Sequence, residues 1–245
     1  TLKTVNIKDN TINGQVNIGA LADGKATVEY VTVRNNKVNF TDKGINITAV
    51  ATSGSGHAIV RNITVDGNEL TGSHVGIDVS TDWGNGTASI RNLTITGNKL
   101  NITDPAAAAY AVGLADVEGY SDFQNNKIIL DGTAGGAYDG VVFSGDYTEN
   151  WTISGNELYG NNVGTGTSGF RLKNTLQSWA ELNFTRNRIT GWNRGIYADS
   201  LVSGIKVEFR ENWIFGNSSY GIENGSGATI DATLNYWGDK SGPYH

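Results

Sequence analysis

Three stretches of the chain are near-copies of one another: "ITVDGNELTG" at residues 63–72, "LTITGNKLNI" at 93–102 and "WTISGNELYG" at 151–160. Each reads apolar-x-apolar, then two polar or glycine residues, then Asn, then x-apolar. Searched along the chain, the same pattern recurs around Asn10, Asn36, Asn68, Asn98, Asn126, Asn156, Asn187 and Asn212. It is degenerate at Asn126 ("SDFQNNKI") and shortened around Asn235 ("ATLNYWG"). Successive Asn anchors lie 26, 32, 30, 28, 30, 31, 25 and 23 residues apart. A period in this range marks a protein built from stacked repeats.

A second phrase follows most anchors, a glycine and then alternating apolar residues. It begins at Gly44, Gly76, Gly113, Gly140, Gly169, Gly195 and Gly221. Each repeat therefore carries about three short segments of period-2 alternation, the mark of strands with one face buried. Sustained 3.6-residue periodicity is missing. Only "DPAAAAYAV" at 104–112 is helix-like, with Asp104 placed to cap and Pro105 in the first turn, enough for one or two helical turns. Three short parallel strands per repeat predict an all-β fold, a right-handed parallel β-helix of about eight to nine coils. One domain spans 1–245, with 230–245 as the closing coil. Coils stacked about 4.8 Å apart predict a rod of roughly 40 Å.

The repeated Asn then has a physical task. It sits where one strand turns sharply into the next. Asn tolerates left-handed backbone, and its amide can bond the turn and the equivalent Asn of the next coil. An Asn ladder down one corner is the expectation, set against the less natural reading of these residues as ligand groups.

Composition narrows the function. Of 245 residues none is Cys or Met, and the net charge is −6 with a pI near 5.0. Thiolate metal sites are excluded, and the acidic balance argues against a nucleic-acid surface. No apolar run approaches the ~18 residues of a membrane span. The chain opens at Thr1 in the strand-like run "TLKTVNI", read as a mature product or excised segment from which any signal peptide is gone.

"NITVDGNELTG" and "NWTISGNELYG" resemble the repeat of surface and secreted right-handed parallel β-helix proteins of the pectate-lyase-like superfamily. The closing "DATLNYWGDKSGP" (231–243) is similar to the segment D-A-T-x-N-x-W-G-x-x-x-G-P that ends β-helix units in archaeal and bacterial cell-surface proteins. The resemblance covers nearly the whole chain and implies the fold far more narrowly than the activity. Catalytic motifs of the superfamily do not carry over. The prolines, Pro105 and Pro243, lack the arginine context of pectate lyases. There is no Asp-Asp pair, and His57 sits in "SGHAI", so the polygalacturonase set is missing. Asp104-Pro105 is followed by Ala106-Ala107, so the epimerase motif is broken. No catalytic residue is assigned.

Several acidic residues fall in loop-like places: Asp78, Asp82, Asp116, Glu118, Asp122, Asp139, Asp146 and Glu149. Stacking predicts that Asp82, Glu118 and Asp146 meet, since each lies five or six residues past its repeat glycine. They read as solvated turn residues, as a carboxylate pair for acid/base work on a sugar, or as a calcium site bracing the longer loops. His57, His74 and His245 share no metal-ligand spacing, and "SGSG" at 53–56 lacks the lysine and helix of a phosphate loop. Trp151 falls at an inward position and Trp237 in the closing turn. Trp83, Trp179 and Trp192 fall in loops and are candidate contact aromatics, for glycan or protein. Ten Asn-x-Ser/Thr sequons occur, many forced by the repeat. Asn85, Asn217 and Asn224, in turn-like contexts, are the better glycan candidates.

Nothing helix-like precedes the first strand, and stacked strands leave unpaired edges at both ends. The expectation is therefore end contacts, with another copy or with the rest of a longer polypeptide. The functional expectation is an extracellular structural unit of a cell-surface layer, sheath, filament or adhesin, self-associating through coil edges and loops. The alternatives are a polysaccharide-binding or polysaccharide-cleaving protein and a viral or appendage fibre.

Overall fold

The computed structural model describes residues 1–103, 110–131, 138–161, 164–173 and 179–239. These form a parallel β-solenoid of about seven turns with three parallel sheets. The first sheet runs in nine rungs from Leu2–Lys8 to Ile230–Asp231, with the short strand Val117–Glu118 beside Thr87–Thr96. The second runs in eight from Thr11–Asn13 to Trp213–Phe215, and the third in eight from Val16–Ala22 to Tyr220–Asn224. Each turn contributes one rung to each sheet, and every rung pairs in parallel with its equivalent one turn on. The count is slightly below the eight to nine expected from nine Asn anchors. Eight rungs in the second and third sheets make seven turn-to-turn steps. The eight steps between nine anchors, at about 4.8 Å each, still span about 38 Å along the axis.

Alternation along each strand sends apolar side chains into one interior column. Val33, Val65, Ile95, Phe123, Ile153, Phe184 and Phe209 stack in register and are fully buried. The column is aliphatic in the early turns and aromatic later, where Phe170 meets Phe184 edge-on at 5.2 Å and Phe184 meets Phe209 at 4.5 Å. Such pairs add roughly 0.5–1.5 kcal/mol beyond their buried area. On the outer face, opposite charges stand on neighbouring rungs: Arg61 pairs with Glu29, Arg91 with Glu118 at 2.7 Å, and Arg34 with Asp66 at 2.6 Å. Exposed pairs of this kind stabilise little, but a one-residue slip would break them all.

The Asn corner has a polarity. Asn36 donates from both its backbone N–H and its Nδ2 to Asn68 Oδ1, each at 3.0 Å, and the same pair of bonds runs on through Asn98, Asn126, Asn156, Asn187 and Asn212 to Asn235. The amide also donates back to a main-chain carbonyl of the preceding turn, Asn98 Nδ2 to Val65 O at 2.9 Å for example. The ladder residues from Asn36 to Asn212 are buried. The left-handed residue of the corner is not the ladder Asn but the residue before it: Asp9, Asn35, Gly67, Gly97, Asn125, Gly155, Arg186, Glu211 and Leu234 all have φ between 53° and 65°. The ladder Asn itself has no positive φ and places its amide over the next rung.

The glycine that opens the third-sheet strand stacks as Gly44, Gly76, Gly140, Gly169, Gly195 and Gly221, and the equivalent in the rung between Gly76 and Gly140 is Ala111, not Gly113, because Val112 pairs with Ile77 and Val141. A Cβ at Gly140 would stand 2.5 Å from Gly169 O, so most rungs require glycine there. Tyr110–Val112, expected as the end of a helical turn, belongs to the strand Tyr110–Ala115; residues 104–109 of that stretch lie outside the described residues.

Candidate functional site

Correcting the register moves the expected carboxylate group. Counting from Ala111 rather than Gly113, the residue five positions on is Asp116, and it replaces Glu118. Asp116 stands at the corner leaving the third sheet, with φ 54°, stacked beside Gly145 at φ 95°. Glu118 lies beyond that corner on the first sheet, bound to Arg91. Asp82, Asp116 and Asp146 therefore line one open groove of about 640 Å³, together with Thr81, Trp83, Ala115, Ser144, Gly145 and Tyr147.

Local turns shape this groove. Gly84 N–H donates to Asp82 Oδ1 at 3.1 Å and Gly86 N–H to Trp83 O at 2.6 Å, closing a tight turn that holds Trp83, partly buried against the core, at the groove wall. One rung further from Asp116, Thr148 Oγ1 donates to Ser144 O at 2.6 Å and fixes the turn bearing Tyr147. The Trp83 and Tyr147 rings meet with centroids 4.2 Å apart, inclined by 47°. A chain of hydrogen bonds ties this wall to the acid beneath it. Trp83 Nε1 donates to Thr81 Oγ1 at 2.8 Å, Thr81 Oγ1 to Asp116 Oδ2 at 3.2 Å, and Tyr147 N–H to Asp116 Oδ1 at 3.2 Å. Burial pushes the Asp116 carboxyl above its ordinary range. The bonds from Tyr147 and Thr81 oppose that shift, and the charge of Asp146 adds to it. The groove thus combines a half-exposed aromatic wall with carboxylates that can accept hydroxyl hydrogen bonds.

The other acidic residues named from sequence are spent on pairing. Asp78 is buried, bound by Lys43 Nζ at 2.5 Å and Tyr110 OH at 3.0 Å. Asp139 is buried against Arg171, which also holds Asp199 at 2.7 Å; desolvation still leaves the Asp139 carboxyl raised. Glu149 accepts from Gly119 N–H at 2.7 Å, and Asp122 from Gln124. Among the described residues no three His, Asp or Glu side chains are grouped so as to hold a metal ion. His74 pairs with Asp42, and His245 lies outside the described residues.

The tryptophans divide. Trp151 is core, and Trp237 packs over Gly221. Trp83 is half-buried in the groove wall, and Trp179 is 63% exposed. Trp192, expected on the surface, is 1% exposed. Its ring fills a slot left by absent side chains, since a Cβ at Gly160, Gly140 or Gly169 would lie 2.8, 3.1 or 3.3 Å from it, and its Nε1 donates to Leu158 O at 3.3 Å. Reading Trp192 as a loop residue missed these three glycines, which come from other coils. Trp213, not singled out from sequence, is 57% exposed; its signal was the x of Asn-x-apolar, the outward position of the second-sheet strand.

Of the glycan candidates, Asn85 is exposed at the tip of the Trp83–Gly86 turn. Asn224 is exposed but holds its own turn, donating to Ala228 O at 3.0 Å and accepting from Ser226 Oγ at 2.7 Å. Asn217 is half-buried, its Nδ2 donating to Ile189 O at 3.3 Å and its Oδ1 accepting from Trp192 N–H at 3.1 Å, so a glycan there must displace a corner bond.

No protein-family model, no curated protein and no solved structure matches the chain. The likeness to β-helix proteins stands at the level of the parallel β-solenoid fold. No helix among the described residues is long and apolar enough to cross a membrane.

Proposed function

We propose that the chain is a rigid structural unit of an extracellular assembly (a cell-surface layer, sheath, filament or adhesin) that continues end to end into another β-solenoid coil, from a second copy or from the rest of a longer polypeptide. One observation carries this reading. At the first rung, inward positions of the first and second sheets that deeper rungs bury are open, while those of the third sheet, Val16, Ile18, Ala20 and Ala22, are already covered. Leu2 is 57% exposed while its register partners Val28, Val60 and Ile90 are at most 6% exposed, and Val5, Ile7 and Ile12 are only partly covered. An apolar column with ladder strands at its edge is favourable to cover and suited to receive a further rung. The similarity of "DATLNYWGDKSGP" to the closing segment of cell-surface β-helix proteins supports the extracellular placement.

Electron microscopy of the purified chain over a concentration series tests the reading. Filaments or sheets with an axial repeat near 38 Å are the expected result. Monodisperse single rods at every concentration, unaltered by fusing one further coil ahead of Leu2, would sink it. A second reading, polysaccharide binding or cleavage, is favoured by one observation, the aromatic wall beside the carboxylates of the corner groove.

A further inference from the structure

The geometry points to a neutral sugar as the occupant of the corner groove: we infer that it binds an uncharged hexosyl unit of a glycan chain, stacked on the Trp83–Tyr147 wall and hydrogen-bonded by its hydroxyls to Asp82 and Asp116. This inference rests on the polysaccharide-binding reading and specifies the substrate class and the site.

Three features carry it. First, the groove is open and of a size for one or two sugar rings, about 640 Å³, on the lateral face of the rod rather than at an end. A lateral groove is accessible whatever covers the first rung. Second, the aromatic pair is held before any ligand arrives. The indole N–H of Trp83 is fixed by Thr81, which is itself bound to Asp116, and the Tyr147 backbone donates to that same carboxylate. A wall whose rotamers are already locked spends little ordering entropy on binding, and the C–H face of a pyranose supplies the apolar surface it needs. Third, the polar equipment is one-sided. None of the nine lining residues is Lys or Arg, and three are Asp. Carboxylates accept hydrogen bonds from hydroxyls, and each bond to a charged acceptor is stronger than a neutral one. A uronic acid would bring its own carboxylate against three others, with no cation among the lining residues to offset them. The chain-wide charge of −6 acts in the same direction. An acidic polysaccharide, the natural first guess for a β-helix of this kind, is therefore the disfavoured class.

The groove differs from another aromatic depression among the described residues. That one, about 380 Å³ around Trp213, carries Arg186 and Arg188 with Glu157 and Glu211, a mixed-charge lining in which Arg186 pairs with Glu211 and Glu157 with Lys127. Its charges give no preference between sugar classes.

The test is titration of the full chain with hexamers of β-1,4-glucan, β-1,3-glucan and α-mannan. Hexagalacturonate serves as the acidic control, and the readouts are calorimetry and two-dimensional NMR. At least one neutral hexamer is expected to bind in the millimolar range or better and to shift the Trp83 indole and Tyr147 amide signals. Trp83→Ala and Asp82→Asn are each expected to weaken that binding tenfold or more, with the circular dichroism spectrum unchanged. Should Trp83→Ala fail to fold, Tyr147→Ala, at a 39% exposed residue, takes its place. If hexagalacturonate binds more tightly than every neutral hexamer, or if neutral binding survives the Trp83, Tyr147 and Asp82 changes, the inference is overturned while glycan binding itself stands. If no hexamer binds at 10-fold excess over millimolar protein, the polysaccharide reading falls with it.

Discussion

Replacing Asn98 by alanine removes the middle link of the corner ladder, and the structure sets the expected cost. Asn98 Oδ1 accepts from the Asn68 backbone N–H at 3.0 Å and from Asn68 Nδ2 at 2.9 Å. Its own Nδ2 donates to Val65 O, Thr96 O and Asn126 Oδ1 at 2.9–3.0 Å. In Asn98→Ala the Asn68 N–H, fully buried, loses its acceptor, whereas Asn68 Nδ2 keeps Val33 O. Val65 O, Thr96 O and Asn126 Oδ1 each lose one donor, and Asn126 Oδ1 keeps the backbone N–H of residue 98. An orphaned buried polar group costs about 1–3 kcal/mol, so the sum is roughly 3–5 kcal/mol once the small packing loss is included. At the open end of the same ladder the account is different. Asn10 is exposed and its Oδ1 accepts from no described residue, so Asn10→Ala should cost less than about 1 kcal/mol because water replaces the lost bonds. Urea unfolding gives the stabilities, and amide hydrogen exchange of Asn68 reports the orphaned donor directly. The exchange measurement matters because stacked rungs couple mainly to their neighbours, and a central lesion can open part of the stack before the whole. A cost below about 1 kcal/mol for Asn98→Ala with Asn68 still protected, or equal costs at Asn98 and Asn10, would refute the argument that burial gives the ladder its weight.

Glu211 holds φ 57° at a place where other rungs use glycine, and its ion pair with Arg186 is exposed on both sides. Glu211→Gly should therefore stabilise by about 0.5–1 kcal/mol, seen as a raised urea midpoint, and a loss of stability would count against left-handed strain at this corner. In the reverse direction, Gly97→Val should destabilise by more than about 1 kcal/mol through φ alone, because its Cβ would have room, the nearest atom being Asp66 Oδ1 at 3.5 Å. Trp192→Ala should cost about 3–5 kcal/mol by emptying the slot between Gly140, Gly160 and Gly169, against under about 1 kcal/mol for Trp179→Ala on the surface; similar values for the two in thermal melts would mean the slot is not packed. The Asp116 carboxyl is raised by burial, so the folded state binds its proton more tightly than the unfolded chain. Its contribution to stability therefore grows as pH falls from neutral through the folded value and levels off below the unfolded one near 3.8. Asp116→Asn, which keeps an acceptor for Tyr147 N–H and tolerates the left-handed backbone, should flatten that rise between pH 7 and 4; parallel pH profiles for the two proteins would exclude Asp116 as its source.

What the sequence determined by itself is whatever one coil writes locally. Period-2 alternation and the recurring Asn place three short strands in each repeat, because inward and outward positions of a strand differ by one residue and leave their mark in every ten-residue window. What one coil cannot show is which residue of the next coil lies beneath it. A two-residue slip at Gly113 keeps the alternation intact, so the sequence offers no sign of it. Only the pairing of Val112 with Ile77 and Val141 puts Ala111 in the glycine stack and Asp116, rather than Glu118, in the groove. Trp192 teaches the same lesson from the interior: its burial depends on three glycines 23 to 52 residues away in sequence, whose missing side chains become a slot only when the coils are stacked. Strand identity is a property of neighbours along the chain and was legible; the groove, its acid and the buried indole are properties of neighbours across rungs, and the tertiary structure alone decided them.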